Sequence, residues 1–203
     1  MEAVRGASCA VYPGERIALI GPSGSGKSTL LNLLGGLDTP TAGDLSWPGL
    51  GPREDLRPGK VACVFQGPSL LLPLSVIENI GFPLLLQGVS EKEASSLAEE
   101  ALARFGVGHL RDKLPEEISA GQQQRVAIAR AFVAQPSLVL ADEPTSQLDS
   151  ISANEVLTTL LNAAADLGAA AVVATHDPLV AGRLDIVWEM DDGYLKTSVV
   201  CST

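Results

Sequence analysis

Eight consecutive residues, from Gly21 to Ser28, combine three glycines with a lysine and several hydroxyl groups. They match the phosphate-binding loop (P-loop) pattern G-x-x-x-x-G-K-[ST] at every fixed position. The glycines let the backbone turn tightly and present its N–H groups to phosphate oxygens, and a helix starting there adds partial positive charge. Lys27 can reach the β- and γ-phosphates, and the Ser28 hydroxyl can ligate Mg²⁺. The predicted phosphate-binding residues are Gly21, Ser23, Gly24, Ser25, Gly26, Lys27, Ser28 and Thr29.

The flanking residues favour this interpretation over a glycine-rich turn that binds nothing. Residues 16–20 are typical of a short buried strand, and the leucines after Ser28 predict a helix with an apolar face that ends at Gly35 and Gly36. A strand, a glycine-rich loop and a helix in this order are the context that the motif requires. We therefore expect a nucleotide and Mg²⁺ as ligands.

Two adjacent carboxylates form a second candidate site. Asp142 and Glu143 follow the apolar run 139–141, which predicts a strand. Such a strand can lie beside the P-loop strand, so that its carboxyl end faces the phosphates. Asp142 would then hold Mg²⁺, and Glu143 would polarise the water that attacks the γ-phosphate. The alternative is a pair of exposed turn carboxylates, which the upstream P-loop disfavours.

Four further segments follow in a fixed order: Gln66, Ile118–Arg125, Ser146–Asp149 and Thr175–Asp177. With the P-loop and the Asp-Glu strand, they make the chain resemble the nucleotide-binding domain of ABC transporters over nearly its whole length. The resemblance implies an α/β fold, with a P-loop NTPase core over residues 1–203 and a helical subdomain inserted at 67–118. It also implies ATP hydrolysis, an ATP-dependent homodimer and a transmembrane permease as partner.

The resemblance assigns several residues to the interface between two subunits. Ser119 and Gly121 would present a hydroxyl and a backbone N–H to the γ-phosphate bound by the other subunit, and Asp149 would cross the dimer interface. Ser119 and Gln122 also fit the S-x-x-Q capping box at a helix start. The signature departs from the usual Leu-Ser-Gly-Gly-Gln at Ile118 and Ala120, a change from which we expect little loss.

The resemblance also assigns Gln66 and His176. Gln66 would bind Mg²⁺ and sense the attacking water, and His176 would hydrogen-bond the γ-phosphate. Alone, a histidine after a strand is usually a satisfied turn residue and a glutamine there only a strand end, so the ordered set carries both assignments. The implied catalytic residues are Lys27, Gln66, Glu143 and His176, and the implied metal ligands are Ser28, Gln66 and Asp142.

Within the family, four short segments look like the lipoprotein-release and macrolide-export type, whose membrane partner is often a separate chain. A second departure concerns the N-terminus, where family members carry a further strand and an aromatic that stacks on adenine. We expect both to be missing from this chain. Tyr12 does not match that aromatic, and we predict that it packs in a strand. The four segments are Gly35–Asp38, Val64–Gln66, Glu78–Ile80 and Gly121–Arg125.

The composition limits the classes of protein to consider. A net charge of −10 and the absence of a dense Lys/Arg run disfavour nucleic acid as a partner. Cys9, Cys63 and Cys201 form no disulfide pattern and favour a reducing compartment, with Cys63 in the core. No uninterrupted apolar run reaches the ~18 residues of a membrane span. We expect a cytoplasmic protein that reaches the inner face of the membrane through its permease.

Two other functions remain open at this point. The first is an ABC-type ATPase of DNA repair, chromosome structure or translation, but such proteins usually carry long coiled coils, paired domains or basic surfaces. The second is a nucleotide switch that controls a membrane protein without hydrolysis or transport. Glu143 and His176 argue against the non-hydrolysing part of that alternative.

The elements that must position these residues follow from periodicity and turn signals. Ala10–Tyr12 can form a strand, and residues 44–60 read as loop with one edge strand. The run 70–87 has an apolar excess, which we expect to provide a groove for a cytoplasmic helix of the permease; the alternative is that it packs entirely in the core. Helices are predicted over 75–87 (kinked or broken at Pro83), from Ser90, over 120–134 and over 150–167, and strands over 61–65, 138–141, 170–174 and 185–190, the last followed by a hairpin.

Overall fold

A computed structural model describes residues 2–199, in which six strands form one mixed sheet. The strand order is β2-β3-β4-β1-β5-β6; all neighbours are parallel except β5 and β6, which form the predicted antiparallel hairpin. The strands are β1 Arg16–Ile20, β2 Val61–Val64, β3 Leu138–Asp142, β4 Ala170–Thr175, β5 Ile186–Asp191 and β6 Tyr194–Val199.

Six α-helices connect these strands, and each predicted helix is present. The helix predicted over 75–87 continues through Pro83, so of the two predicted alternatives, a kink or a break, the break is wrong. Pro83 lies near the carboxyl end, where the missing N–H costs only one helix bond. The helices are α1 Lys27–Leu34, α2 Val76–Leu86, α3 Glu91–Arg104, α4 Ala120–Phe132, α5 Ser150–Leu167 and α6 Pro178–Ala181.

The sheet separates two apolar layers, because successive side chains of a strand point to opposite faces. In β1, Ile17 and Leu19 pack with the leucines of α1, whereas Ala18 faces the layer that contains α4 and α5. Ala170–Thr175 is buried at every position, as expected for a parallel strand covered on both faces. The P-loop strand therefore sits in the middle of a rigid core.

The helices α2 and α3 pack against each other and against α4. On α3, Ala94, Ala98, Ala101 and Leu102 are buried along one face. Phe105, at the end of α3, lies 6.0 Å from the Phe132 ring of α4 between centroids. Both helices lie within the predicted insertion at 67–118, whose limits as a subdomain remain a prediction.

The carboxyl end of α1 is capped by side chains from the long excursion at 37–60. Trp47 Nε1 donates to the Leu34 carbonyl at 2.7 Å, and Arg53 Nε donates to the Gly36 carbonyl at 2.9 Å. Arg57 contacts the carbonyls of Gly35 and Gly36. These donors satisfy carbonyls that a helix end leaves open. The excursion forms no strand in the described residues, so the predicted edge strand is wrong.

Two further predictions are corrected. Ala10–Tyr12 pairs with no described strand, and Tyr12 is 63% exposed rather than packed. Instead, the Glu15 carboxylate accepts from the Tyr12 N–H at 2.9 Å and closes a turn into β1. Strand β3 is not beside β1, because β4 lies between them.

Two of the three cysteines lie within the described residues. Cys63 is half-buried against the α1 layer, as predicted for core packing, and Cys9 is exposed. Cys201 lies outside the described residues. Among residues 2–199, no helix has the length and hydropathy needed to cross a bilayer.

Candidate active site

Four neighbouring parallel strands end at the same edge of the sheet, and each is followed by a predicted site residue. The P-loop follows β1, Gln66 follows β2, Asp142 ends β3, and His176 follows β4. Because carboxyl ends of parallel strands meet at one edge, the four segments converge. Because β4 lies between β1 and β3, it places His176 between the P-loop and the Asp-Glu strand, and Asp142 still lines the same cleft as the P-loop.

The P-loop backbone fits closely against its neighbours. A Cβ on Gly21 would lie 2.1 Å from the Met190 carbonyl oxygen, and one on Gly26 would lie 2.1 Å from the Ala3 carbonyl oxygen. Gly26 is also the N-cap of α1 with φ 104°, a conformation that side chains disfavour. Both glycines are therefore required by backbone approach. The free N–H groups of the first turn of α1 are left for an anion.

The Lys27 side chain is hydrogen-bonded to the backbone of its own P-loop. Its Nζ donates to the carbonyls of Gly21 and Pro22 at 2.8 and 3.0 Å, and the residue is 8% exposed. These two weak partners carry no charge, so a phosphate oxygen would be a stronger acceptor for the same ammonium. The lysine lies in the loop from which the motif predicts a contact with the β- and γ-phosphates, and that contact stays a prediction.

Glu143 and His176 are in direct contact. His176 Nδ1 lies 2.8 Å from Glu143 Oε1, and the glutamate side chain is 14% exposed whereas the histidine is 68% exposed. The Glu143 N–H donates to the Ala174 carbonyl at 2.9 Å, which extends the pairing of β3 and β4 by one residue. Glu143 has φ 47°, so the surrounding bonds hold it in a sparsely populated backbone conformation. The carboxylate is thereby aimed along the cleft, with the histidine able to orient it.

These residues surround a cleft of about 530 Å³. Ser28, Gln66 and Asp142 bring a hydroxyl, an amide and a carboxylate oxygen to the same cleft, and oxygen donors of this kind suit Mg²⁺. The residue types therefore fit a magnesium nucleotide. The cleft is lined by Ala3, Ser23, Gly24, Gly26, Lys27, Ser28, Thr29, Gln66, Asp142, Glu143 and His176.

The remaining predicted site residues lie outside this cleft. Gly21 and Ser25 are in the P-loop but do not line it; Ser25 is 3% exposed, and its carbonyl accepts from the Gly193 N–H at 3.0 Å. Ser119, Gly121 and Gln122 begin α4 and also do not line it.

Side chains cap two helix starts outside the cleft, and the sequence predicts one of them, at Ser119. Ser119 Oγ accepts from the Gln122 N–H at 3.3 Å, and Gln122 Oε1 accepts from the Ser119 N–H at 2.9 Å, which forms the predicted capping box. Asp149 caps α5 by accepting from the N–H groups of Ile151 and Ser152 at 3.1 Å. Hydrogen bonds from the Ser152 hydroxyl and backbone lower the pKa of the Asp149 carboxyl. Asp149 is thus a negatively charged, exposed cap.

Some contacts at the site carry no sequence signal. Ala3 reaches the cleft through its backbone carbonyl, and Gly193 reaches the P-loop through its N–H. Backbone groups are present in every residue, so no side-chain pattern could indicate them. Gln124 is different: a glutamine that is 3% exposed stands among the apolar residues of α4 and could have been noticed as a polar interruption.

Comparison with known proteins agrees with this geometry. The ABC transporter family matches residues 4–146. The chain is 44% identical over 193 residues to the lipoprotein-releasing system ATP-binding protein LolD of Chromohalobacter salexigens, covering 92% of this chain and 81% of that protein. It is 42% identical over 200 residues to LolD 2 of Caulobacter vibrioides, covering 95% and 88%.

The fold is also similar to solved structures. A dimeric post-hydrolysis state of the ATP-binding cassette MJ0796, bound to ADP and Pi, superimposes with a TM-score of 0.87 at 33% identity, covering 99% of this chain and 92% of that chain. A second dimeric structure of MJ0796, described as a bacterial ABC transporter cassette, gives a TM-score of 0.86. Motif order, site geometry and similarity over nearly the full chain agree. The chain belongs to the ABC transporter family, as an ATP-binding subunit of the lipoprotein-release type.

Proposed function

We propose that this chain hydrolyses ATP with Mg²⁺, as a subunit that dimerises head to tail around two ATP molecules and powers a membrane permease. The observation that carries the proposal is the convergence of the P-loop, Asp142, Glu143 and His176 at one sheet edge. The alternative of a switch without hydrolysis is disfavoured, because Glu143 and His176 are already paired at 2.8 Å.

Each side chain has a defined task in this reaction. Lys27 would exchange its two carbonyl partners for phosphate oxygens, and Glu143 would accept a proton from the attacking water. His176 would hold the Glu143 carboxylate through Nδ1. Mg²⁺, held by Ser28, Asp142 and Gln66, would neutralise charge on the phosphates. Strands β3 and β4 fix the position of Glu143, because the residue directly follows β3 and its N–H is bonded to Ala174 of β4.

The test of hydrolysis is the Glu143→Gln variant. It keeps the side-chain shape but loses the base, so ATP binding should persist while turnover falls by ~10²-fold or more. Glu155→Gln is the matched control, because Glu155 is an exposed glutamate of α5 outside the cleft. Phosphate release and nucleotide binding are measured for both variants. Unchanged turnover in Glu143→Gln refutes the role of Glu143.

The proposed dimer rests on where α4 begins. Ser119 is exposed and does not line its own cleft, and the helix start there is suited to an anion from outside the subunit. In the Glu143→Gln background, the protein should run as a dimer on a sizing column with ATP and as a monomer with ADP. Adding Ser119→Arg should abolish the dimer, and adding Ser95→Arg, on an exposed position of α3, should not. Equal dimerisation of both double variants contradicts the head-to-tail arrangement.

The permease is expected to contact an apolar surface that is made by Phe65 and the exposed part of the run 70–87. The core takes four of the eleven large apolar side chains in the run 70–87, namely Val76, Ile77, Ile80 and Leu84. Other large apolar side chains of this region remain exposed. They are Phe65 (44%), Leu71 (37%), Leu72 (67%), Leu85 (42%) and Leu86 (62%).

We define these five exposed side chains as the apolar surface and propose that it binds a cytoplasmic helix of the permease. Leu72→Glu and Leu86→Glu should leave the isolated ATPase folded and active but abolish its co-purification with a co-expressed permease. Leu37→Glu, at a residue 45% exposed elsewhere, is the control. Full co-purification of the first two variants would place the permease on another surface.

A further inference from the structure

Two side chains of α4 hold the segment that contains Gln66. Gln124 Nε2 donates to the Phe65 carbonyl at 3.4 Å, directly before Gln66. Arg130 donates from Nη1 to the Ser69 carbonyl at 3.0 Å and from Nη2 to Ser69 Oγ at 3.1 Å, three residues after it. Gln66 itself lines the cleft. The segment is therefore fixed on both sides of Gln66 by one helix.

The Arg130 contact is costly to maintain, which argues that it has a task beyond packing. Arg130 is half-buried, burial lowers the pKa of its guanidinium, and among residues 2–199 its side chain bonds to Ser69 rather than to a carboxylate. A partly buried charge without a counter-ion is less favourable than a solvated one. Its hydrogen bonds end instead on Ser69, which has φ 41° and is held in a sparsely populated backbone conformation. If packing alone were needed, an apolar side chain at position 130 would fill the same space with a smaller desolvation free energy.

We propose that Arg130 and Gln124 are positioning residues that set the location of Gln66 in the cleft and connect it to the start of α4. Ser119 caps the same helix eleven residues before Arg130, about 16 Å along its axis at 1.5 Å per residue. Because a helix of this length moves as one body, a displacement of Ser119 is transmitted to Ser69 and so to Gln66. The inference rests on the proposed function, since it assigns Gln66 to the Mg²⁺ site.

The connection has a defined chemical consequence. When Ser119 meets the phosphate bound by the partner subunit, the carbonyl and hydroxyl of Ser69 are held or shifted by Arg130. A shift of Ser69 would therefore move the Gln66 amide relative to Ser28 and Asp142, the other predicted metal ligands. Each ATP would thus affect the other subunit's cleft through one helix, the Arg130–Ser69 hydrogen bonds and the short segment that leads from Ser69 back to Gln66. The residues of this path are Ser119, Arg130, Ser69 and Gln66.

The decisive experiment is a double-mutant cycle between Arg130 and Gln66. Arg130→Met should lower kcat about tenfold, the scale of a small misplacement of a reacting group, while ATP affinity changes by less than about twofold. In a Gln66→Ala background, Arg130→Met should cause no further loss, because the residue acts through Gln66. Equal losses in both backgrounds mean a merely structural role and overturn the proposal, as does an unchanged kcat.

Three further variants guard against a folding artefact. Ser69→Ala, at an exposed loop residue, removes one acceptor and should lower kcat by about two- to threefold, since the carbonyl contact remains. Arg130→Lys keeps the charge but not the fork and should restore activity only in part. Arg104→Met is the matched control; Arg104 binds Asp166 at 3.0 Å on the surface and should leave kcat unchanged.

Metal affinity separates this inference from the proposed function. If the wild type shows no turnover, the proposed hydrolysis fails, and Mn²⁺ affinity of the ATP complex, measured by electron paramagnetic resonance, decides the inference alone. Arg130→Met should weaken Mn²⁺ binding about fivefold when Gln66 is present and not when it is alanine. Equal Mn²⁺ affinity of wild type and Arg130→Met, or equal weakening in both backgrounds, overturns it.

Discussion

Asn79 in α2 offers a sharp test of how the turn before that helix is held. The residue is fully buried. Its Oδ1 accepts from the Leu71 N–H at 2.8 Å, and its Nδ2 donates to the carbonyls of Leu71, Leu74 and Ser75 at 3.0, 2.9 and 3.1 Å. One amide therefore satisfies four backbone groups of residues 71–75. We predict that Asn79→Asp is more destabilising than Asn79→Ala at neutral pH.

The magnitudes follow from those four bonds. Alanine removes contacts worth about 1 kcal/mol each and leaves part of the exposed turn free to find water, so a loss of about 2–4 kcal/mol is expected. Aspartate keeps the shape of Asn79 but turns a donor into a carboxylate facing three carbonyl oxygens, and an uncompensated buried charge costs about 3–5 kcal/mol. For a domain of this size, a loss of 3 kcal/mol lowers Tm by about 6–12 °C.

The sign of the pH dependence distinguishes the two variants. The introduced carboxyl is raised in pKa in the folded state, so the folded protein binds more protons than the unfolded chain above pH ~3.9. The stability of Asn79→Asp must therefore fall as the pH rises from 5 to 7 relative to Asn79→Ala. Urea unfolding followed by far-ultraviolet circular dichroism measures both, with Asn162→Asp at an exposed position of α5 as control. Equal stability of the two Asn79 variants at both pH values refutes this account.

Three other substitutions test single features of the fold. Trp47→Phe keeps the ring but loses its bond to the end of α1, so thermal unfolding should shift down by about 2–4 °C for a loss of about 1 kcal/mol. Hydrogen bonds from Arg16 lower the pKa of the Asp185 carboxyl; Asp185→Asn should reduce the free energy of unfolding by less than about 1 kcal/mol at pH 7, since both side chains are partly exposed. That difference should be fully present above pH ~3.9 and disappear as the pH falls through the lowered pKa, which urea titrations at pH 7 and below pH 4 can show. Gly26→Ala would place a Cβ 2.1 Å from the Ala3 carbonyl oxygen, and we expect its nucleotide affinity, measured with a fluorescent ATP analogue, to fall at least about tenfold.

The sequence was sufficient where an element and its chemistry are local. The P-loop, its strand and its helix occupy residues 16–34 without interruption, and the capping box at Ser119 lies within a single turn. The Asp-Glu pair directly follows its own apolar strand. In each case the physical cause is contained in a short window, so the pattern and the structure agree.

What escaped prediction depends on residues distant in the chain. No pattern indicates that β4 lies between β1 and β3, because strand order is decided by how the crossovers pack. Arg57 caps a helix that ended more than twenty residues earlier, which hydropathy cannot reveal. Tyr12 has strand propensity, yet no neighbouring described strand offers it hydrogen bonds.

The positions of the two tryptophans make the protein its own optical probe. Trp188 is buried in β5 beside Leu19 of the P-loop strand, and Trp47 is bonded to the end of the P-loop helix. The whole sequence contains no other tryptophan, so tryptophan fluorescence reports on the nucleotide-binding core and not on α2 or α3. Far-ultraviolet dichroism, by contrast, counts those helices. A denaturant range in which the dichroism signal falls while tryptophan fluorescence stays constant would therefore show that α2 and α3 unfold before the rest of the protein.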